Sequence, residues 1–417
     1  MSEKAAPRRR KRADGEGGIY LRPDGRYQVH ITAALPSGER KRIVRYARTK
    51  GEANALRRQL EGEAQAGVVV SAARPPTVKE YGEVWLTKTL RYRVDMGDLS
   101  AATWNFYKDM WVNHIVPTLG QHRLDALPPP LLRDWMIEVT QRTGRTGRPL
   151  AKSTVRGVHA TLRKALSDAV DDQVIHSNAM LLVKGPSVPA TASRFLTREE
   201  AIRLRQVIGG EPLECLVLVL LGCGLRIGEA LALRWSDIDD DAKRLRVAQA
   251  VGDLPGDMTM TSTVRPRGIK TTKTVASQAS VPIPAFVLAA LRTQRAAVAR
   301  ERLAAPAWDD QDLVFPTSVG TPKDRNNVAK EWHRLRVKAG LGDVRIHDLR
   351  HSTATFLLAA GAPMKLVQEV LRHSRMQTTA DIYAHVLPEV KDEAASLLDA
   401  YLAPPRKPRT KRKKGAL

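Results

Sequence analysis

Cysteine is almost missing from this chain: 417 residues carry two, Cys215 and Cys223, with no C-x-x-C spacing. That excludes a disulfide framework and a thiolate metal site, and leaves two buried thiols suited to a reducing compartment. Long apolar runs are missing too. The longest, "LVLVLL" at 216–221, falls far short of the roughly eighteen residues that span a bilayer. It reads as a buried core segment, and no transmembrane helix is expected. The basic N-terminus has no apolar stretch behind its charges, so no signal peptide is expected. The absence of an internal repeat excludes a repeat array.

Acidic residues are in deficit. Lys and Arg number 68 against 44 Asp and Glu, a formal net charge of +24. Residues 1–12 contribute +5 and residues 404–417 contribute +7, leaving +12 on the body between them. A basic tail alone is commonly a solvated, disordered end. A basic body between two basic tails points instead to a polyanionic partner, most simply nucleic acid. With 43% hydrophobic residues the chain can bury real cores, and its length predicts two to four domains rather than one.

After a basic tail at 1–16, residues 17–66 read as a small separate module. "GIYLRPDGRYQVHITAALPSGERKRIVRYART" alternates apolar and polar residues in three short runs, divided by Pro23-Asp24-Gly25 and Pro36-Ser37-Gly38. This predicts a three-stranded antiparallel sheet. "KGEANALRRQLEGEAQAG" then predicts a helix ending at Gly67. Arg22, Arg26, Arg40, Lys41 and Arg42, interleaved with Tyr20 and Tyr27, are expected on one sheet face, either merely solvated or able to enter a DNA groove.

Pro75-Pro76 closes a linker. Residues 77–183 predict helices at 78–90, 100–115, 127–142 and 151–172 with polar faces rich in Arg and Lys, and 183–194 a second linker. Residues 195–403 form the largest expected unit: a helix opened by a capping box at Thr197 and Glu200, a buried helix at 212–223, a β-rich stretch at 244–284 and helices from 285 onward. A basic tail, 404–417, follows. The expected fold class is multidomain α+β: a small N-terminal three-stranded sheet plus helix, a helical domain, and a mainly α domain with a small β-sheet.

Chemistry-bearing residues concentrate in the last unit. In "GLRIGEAL", 224–231, glycines stand on both sides of Arg226. A guanidinium delivered near helix N-terminal amides suits a phosphate oxygen, with Glu229 one turn on to hold it; an ordinary i,i+3 surface pair is the plainer alternative. "IKTTKTVASQASVPIP", 269–284, reads as strand, turn, strand, with Lys270 and Lys273 near the turn. "VRIHDLRHST", 344–353, gathers His347, Asp348, Arg350 and His351. A zincin-like metal helix is disfavoured there, because the base position holds the shorter Asp348 and Arg350 would set a fixed positive charge beside the cation. On one helix His347 and Arg350 share a face and offer two donors to one anion. In "LVQEVLRHSRMQTTADIYAHV", 366–386, a helix ends near Arg372-His373 and a polar stretch leads to Tyr383; a lone tyrosine is ordinarily a core residue.

In their order, Arg226, Lys273, His347, Arg350, His373 and Tyr383 resemble the pattern of the tyrosine recombinase (phage integrase) family. That pattern is Arg, hairpin Lys, His-x-x-Arg, His or Trp, then Tyr near the C-terminus. "HDLRHSTATFLLAAG" and "DIYAHV" look like the family's boxes, and the distance to "VPIP" fits Lys273 rather than Lys270. Arg372 departs from the pattern, since the family commonly has glycine there. The resemblance extends over the chain: 17–66 is similar to the arm-type DNA-binding sheet, 77–183 to the helical core-binding domain and 195–403 to the catalytic domain.

The resemblance implies a site-specific DNA recombinase for integration and excision of mobile DNA. Tyr383 would attack the scissile phosphate, forming a 3′-phosphotyrosine and freeing a 5′-hydroxyl. Arg226 and Arg350 would grip the non-bridging oxygens, His347 would accept the tyrosine proton, His373 would donate to the phosphate and Lys273 would protonate the leaving oxygen. No metal, nucleotide or other cofactor is expected. Expected partners are double-stranded DNA attachment sites, further copies in a homo-tetramer on DNA, and a host architectural protein or excision factor, in a bacterial cytoplasm or nucleoid and not at a membrane. A type IB topoisomerase and a catalytically silent DNA-binding regulator compete; the module at 17–66 argues against the first and the filled catalytic positions against the second. The helix expected at 388–403, with Val390, Ala394, Leu397, Leu398 and Tyr401 on one stripe, closes the chain's own core by default or, as the resemblance suggests, packs on a neighbouring protomer.

Overall fold

In the computed structural model the described residues are 18–34, 40–65, 75–144, 147–188, 194–271 and 279–373. They fall into two compact units, Met1–Pro189 with Pro255–Val264, and Ala190–Leu254 with Arg265–Leu417.

The first unit opens with strands β1 (Gly18–Leu21), β2 (Tyr27–Ala34) and β3 (Arg40–Ala47), antiparallel in that order, and helix α1 (Lys50–Gln65). Register runs from Gly18↔His30 to Leu21↔Tyr27 and from Tyr27↔Ala47 to Ala34↔Arg40. Strand alternation turns Val29, Ile31 and Ile43 to one face, where they bury with Ala53 and Leu60 of α1. Asp24 Oδ1 accepts from the Arg26 N–H at 3.1 Å to hold the β1–β2 turn. The Pro36-Ser37-Gly38 turn and the helix end expected at Gly67 lie outside the described residues.

Helix α2 (Val78–Val84) continues through a π turn, Trp85–Thr89, into α3 (Leu90–Asp95). Helix α4 (Ala101–Met110) continues through a second π turn, Trp111–Ile115, into α5 (Val116–Leu119), and α6 (Pro129–Gln141) and α7 (Lys152–Asp171) follow. The first two expected helices therefore run on, to Asp95 and Leu119. Val78, Tyr81, Trp85, Leu86, Leu90 and Val94 are all buried, so the apolar face continues across the first π turn. Trp85 and Trp111 bury with ring centroids 5.3 Å apart, and Trp85 Nε1 donates to Asp168 Oδ2 of α7 at 2.8 Å.

In the second unit, α8 (Arg198–Ile208) has the expected capping box: Thr197 Oγ1 accepts from the Glu200 N–H at 3.2 Å and Glu200 Oε2 from the Thr197 N–H at 3.0 Å. Then come α9 (Glu214–Cys223), α10 (Ile227–Leu231), β4 (Ile238–Asp239), β5 (Arg244–Val247), β6 (Gln249–Asp253), β7 (Arg267–Thr271), β8 (Ala279–Pro282), α11 (Ala285–Ala304), α12 (Arg325–Lys338), α13 (Asp348–Ala359) and α14 (Met364–Leu371). Helix α9 is apolar all round because it is buried all round, packed on α11 and α13.

The strand–turn–strand reading of 269–284 is corrected. β7 pairs with β6, from Asp253↔Arg267 to Gln249↔Thr271, and β8 pairs with β5, from Val247↔Ala279 to Arg244↔Pro282. Both run along successive stretches of 244–253, so the hairpin connection is 254–266. Turn chemistry is the reason: that connection holds Pro255-Gly256-Asp257 and Pro266, whereas 272–279 has neither glycine nor proline. Among the described residues no helix is long and apolar enough to cross a membrane.

Candidate active site

Three helix ends of the second unit build the site. Helix α9 stops at Gly224, which takes φ +60° and has Leu371 Cδ2 2.5 Å from where a Cβ would sit. Two residues later Arg226 is extended (φ −73°, ψ 146°) and caps α10. Its N–H donates to Glu229 Oε2 at 2.9 Å and its Nη1 to Glu229 Oε1 at 2.8 Å. One buried carboxylate thus fixes both backbone and guanidinium. The Arg226 side chain stays 42% exposed: anchored at one edge, open at the other. Gly228 lets α10 lie on β6, for a Cβ there would come 2.8 Å from the Val251 carbonyl oxygen.

Arg350, on the first turn of α13, is 3% exposed. Its two terminal nitrogens donate to the carbonyls of Gly224 and Leu371. Those carbonyls lie at the ends of α9 and α14, where the last C=O groups lack helical partners. One guanidinium therefore fastens α13 to two other helix ends, one of them 126 residues earlier in the chain. Burial, then repulsion from Arg226 and Arg372, pushes its pKa down to about 9, which leaves it charged at neutral pH.

His347 caps α13 and meets His351 edge-on, ring centroids 5.0 Å apart. Desolvation, then the charges of His351 and Arg350, holds His347 down at about 4. His373 follows α14, its N–H donating to the Gln368 carbonyl at 3.1 Å. Burial, then Arg350 and Arg226, holds His373 down at about 4. Both imidazoles are neutral at pH 7.

Stability depends on pH through the same two groups. Both folded values lie below the ordinary 6.5, so as pH falls the unfolded chain takes up protons first. The contribution is full above about pH 6.5 and is lost between there and about 4. His347 is exposed at its outer edge, so the effect rests mainly on His373. The unfolding midpoint of the DNA-free protein is expected to drop across this window, and His373→Gln to flatten the drop; identical profiles for the two proteins would contradict it.

Asp348 decides against the zincin-like reading. It is fully buried, with Oδ1 taking the Arg345 Nη2 at 2.9 Å and Oδ2 the Arg345 Nε at 3.1 Å. It is a helix-capping partner and not a base. Among the described residues no group of three or more His, Cys, Asp or Glu gathers to hold a metal.

Lys273 and Tyr383 lie outside the described residues, as does 388–403. Lys270 stands in β7 opposite Ala250, its Nζ 3.4 Å from the Asp253 carbonyl oxygen. In the N-terminal sheet, Arg22 and Arg26 lie over the Tyr46 ring at 5.3 and 5.8 Å, and Arg22 Nη1 donates to the Tyr46 hydroxyl at 3.1 Å. Arg42 is exposed, and Tyr20 stacks on His30 at 5.2 Å. Tyr27, expected on the basic face, instead packs with the core, and the side chains of Arg40 and Lys41 lie outside the described residues. Tyr46 and His30 complete the outer face and were not assigned from sequence.

Sequence reasoning also left Arg372 without a role. It ends α14 in the left-handed region, φ +55° and ψ 47°, and its Nη2 donates to Glu229 Oε2 at 2.6 Å. The available signal was an arginine at a helix end where glycine is common.

Residues 194–389 match the Phage integrase family. A tyrosine recombinase XerC-like protein of Caldanaerobacter subterraneus is 27% identical over 394 residues, spanning 90% of this chain and 97% of that protein. Tyrosine recombinase XerC of Xanthomonas axonopodis pv. citri is 30% identical over 251 residues, 58% and 68% of the two chains. Among solved structures, the Tn1549 transposon integrase in complex with a circular intermediate DNA has a TM-score of 0.61 at 20% identity, over 77% of this chain and 99% of that one. Fold and site thus set two anchored guanidiniums, Arg226 and Arg350, beside two imidazoles held neutral, His347 and His373. The chain belongs to the phage integrase family: it is a tyrosine recombinase, an enzyme that cuts and rejoins DNA.

Proposed function

We propose that this recombinase cleaves attachment-site DNA with Tyr383 as nucleophile, through a 3′-phosphotyrosine, and rejoins it by attack of a partner strand's 5′-hydroxyl. The observation that carries this is the pair of anchored guanidiniums. Arg226 rests on Glu229 and Arg350 on two carbonyls, so neither must reorganise when charge develops on the non-bridging oxygens. Neutral His347 is in the form that can accept the tyrosine proton, and neutral His373 offers the phosphate one N–H. Lys273, in the segment that leads into β8 at Ala279, is the acid for the 5′-oxygen.

Three modules divide the work: 17–66 reads arm-type DNA, 77–183 clasps the core site and 195–403 performs the chemistry. Two duplexes with four copies of the chain form the working assembly in the bacterial cytoplasm, with a host architectural protein or excision factor setting direction, and no membrane. On labelled attachment-site DNA the protein should form a covalent adduct in EDTA, because charge stabilisation comes from Arg226 and Arg350. Activity lost in chelator and restored by zinc would overturn this.

Deleting residues 1–66 should leave core-site cleavage intact while weakening assembly. Every phosphate no longer neutralised reduces the salt slope of log K by about 0.9, so removal of Arg22, Arg26, Arg42 and their neighbours should flatten it measurably. An unchanged slope and footprint would mean that the sheet does not touch DNA.

A further inference from the structure

We infer that Arg372 is a positioning residue: it holds the Glu229 carboxylate, and through Glu229 the Arg226 guanidinium, in the geometry that receives the scissile phosphate. The inference rests on the phosphate-binding role proposed above for Arg226.

Arg372 occupies a position that its backbone disfavours. At φ +55° and ψ 47° it takes the left-handed conformation that closes α14, which glycine adopts freely and side-chain-bearing residues rarely do. Its side chain is 1% exposed. Nη2 donates to Glu229 Oε2 at 2.6 Å and Nη1 to the Val370 carbonyl at 3.3 Å, while Nε is buried without a partner among the described residues. A buried charge on a strained backbone with one donor unsatisfied is costly for the fold alone, and glycine would relieve every part of that cost.

The charge balance shows what the arginine supplies. Glu229 is buried, and its two oxygens serve three donors: Oε1 takes Arg226 Nη1, and Oε2 takes the Arg226 N–H and Arg372 Nη2. Without Arg372, the half-exposed Arg226 alone would neutralise this carboxylate and then have to share itself with a phosphate. With Arg372 present, Glu229 keeps a dedicated buried cation, and Arg226 can turn its open edge to DNA while staying anchored. Burial raises the Glu229 carboxyl, but the Arg372 charge, then the Arg226 hydrogen bonds, outweigh it and hold it below its ordinary value. Arg372 also follows Leu371, whose carbonyl takes Arg350, and precedes His373. Arg350 thus holds this short segment by its backbone, and Arg372 ties it to Glu229.

The test is single-turnover cleavage at saturating attachment-site DNA, with DNA affinity and melting measured alongside. Arg372→Gly suits the left-handed backbone, so folding and binding should persist while cleavage slows about ten- to a hundredfold, the loss expected for a charge-assisted contact to a positioned group. Arg372→Lys should stay within about tenfold of wild type. In a Glu229→Gln background, adding Arg372→Gly should cost little more, because both changes break one chain of contacts; full additivity would overturn the inference. So would wild-type cleavage by Arg372→Gly beside an inactive Arg226→Ala. If Arg226→Ala itself cleaves normally, the reading of the site fails instead. Should Arg372→Gly not fold, Arg372→Met, similar in length and uncharged, takes its place: equal rates for the Met and Lys variants overturn the inference, and a slow Met beside an active Lys supports it.

Discussion

Tyr383→Phe is expected to leave folding and DNA binding intact while abolishing the covalent protein–DNA adduct. The change removes one hydroxyl and almost no volume, so packing cannot account for a total loss. Opening a strand without a cofactor requires a nucleophile that retains the phosphodiester energy in a new bond, and only the phenolic oxygen can do so at this position. In the reading proposed above the phenol's proton goes to His347, which desolvation and the charges of His351 and Arg350 keep neutral at pH 7. An adduct surviving in Tyr383→Phe, detected on denaturing gels with labelled DNA, would show that another residue attacks. Tyr401, on the stripe expected at 388–403, would be the next to test.

Arg350→Ala should be nearly as severe, and for two reasons that can be separated. The buried guanidinium satisfies the carbonyls of Gly224 and Leu371 at the ends of α9 and α14. Truncation strands both, and each buried unsatisfied group costs about 1–3 kcal/mol, so the unfolding midpoint should fall by several degrees or more. Cleavage should fall by at least ~10²–10³-fold beyond what misfolding explains, as for removal of one preorganised oxyanion donor. Arg350→Lys should recover little, because a single ammonium cannot span two carbonyls and a phosphate. Arg226→Ala is the control: its side chain is 42% exposed, so it should lose cleavage to a similar degree with a much smaller stability change. If Arg350→Ala melts like wild type, Arg350 does not fasten the three helix ends; if its cleavage merely tracks the folded fraction, the residue is structural only.

The sequence by itself determined what is local. Thr197 and Glu200 cap α8 because both partners lie within one turn, so their spacing reports their contact. The alternation in β2 and the Asp24-Gly25 turn forecast the N-terminal sheet, since side-chain parity and left-handed turn geometry need no distant partner. The spacing of Arg226 to Glu229 and of His347 to Arg350 was legible for the same reason, and their order along the chain carried the family.

Tertiary structure decided whatever depends on a partner far along the chain. Whether β7 would pair with β8 or β6 turned on where the reversal fell, and strand periodicity is the same in either pairing. The Trp85 ring, at the π turn, finds its hydrogen-bond acceptor only at Asp168, 83 residues away. Arg350 reads in sequence as a phosphate ligand; only the folded chain shows it bound to carbonyls of α9 and α14. Arg372 looked like an odd helix end until the fold put it within 2.6 Å of Glu229, 143 residues before it. A charge on a surface helix needs no partner, but a buried one must find its counter-charge wherever the fold provides it, and sequence spacing carries no record of that distance.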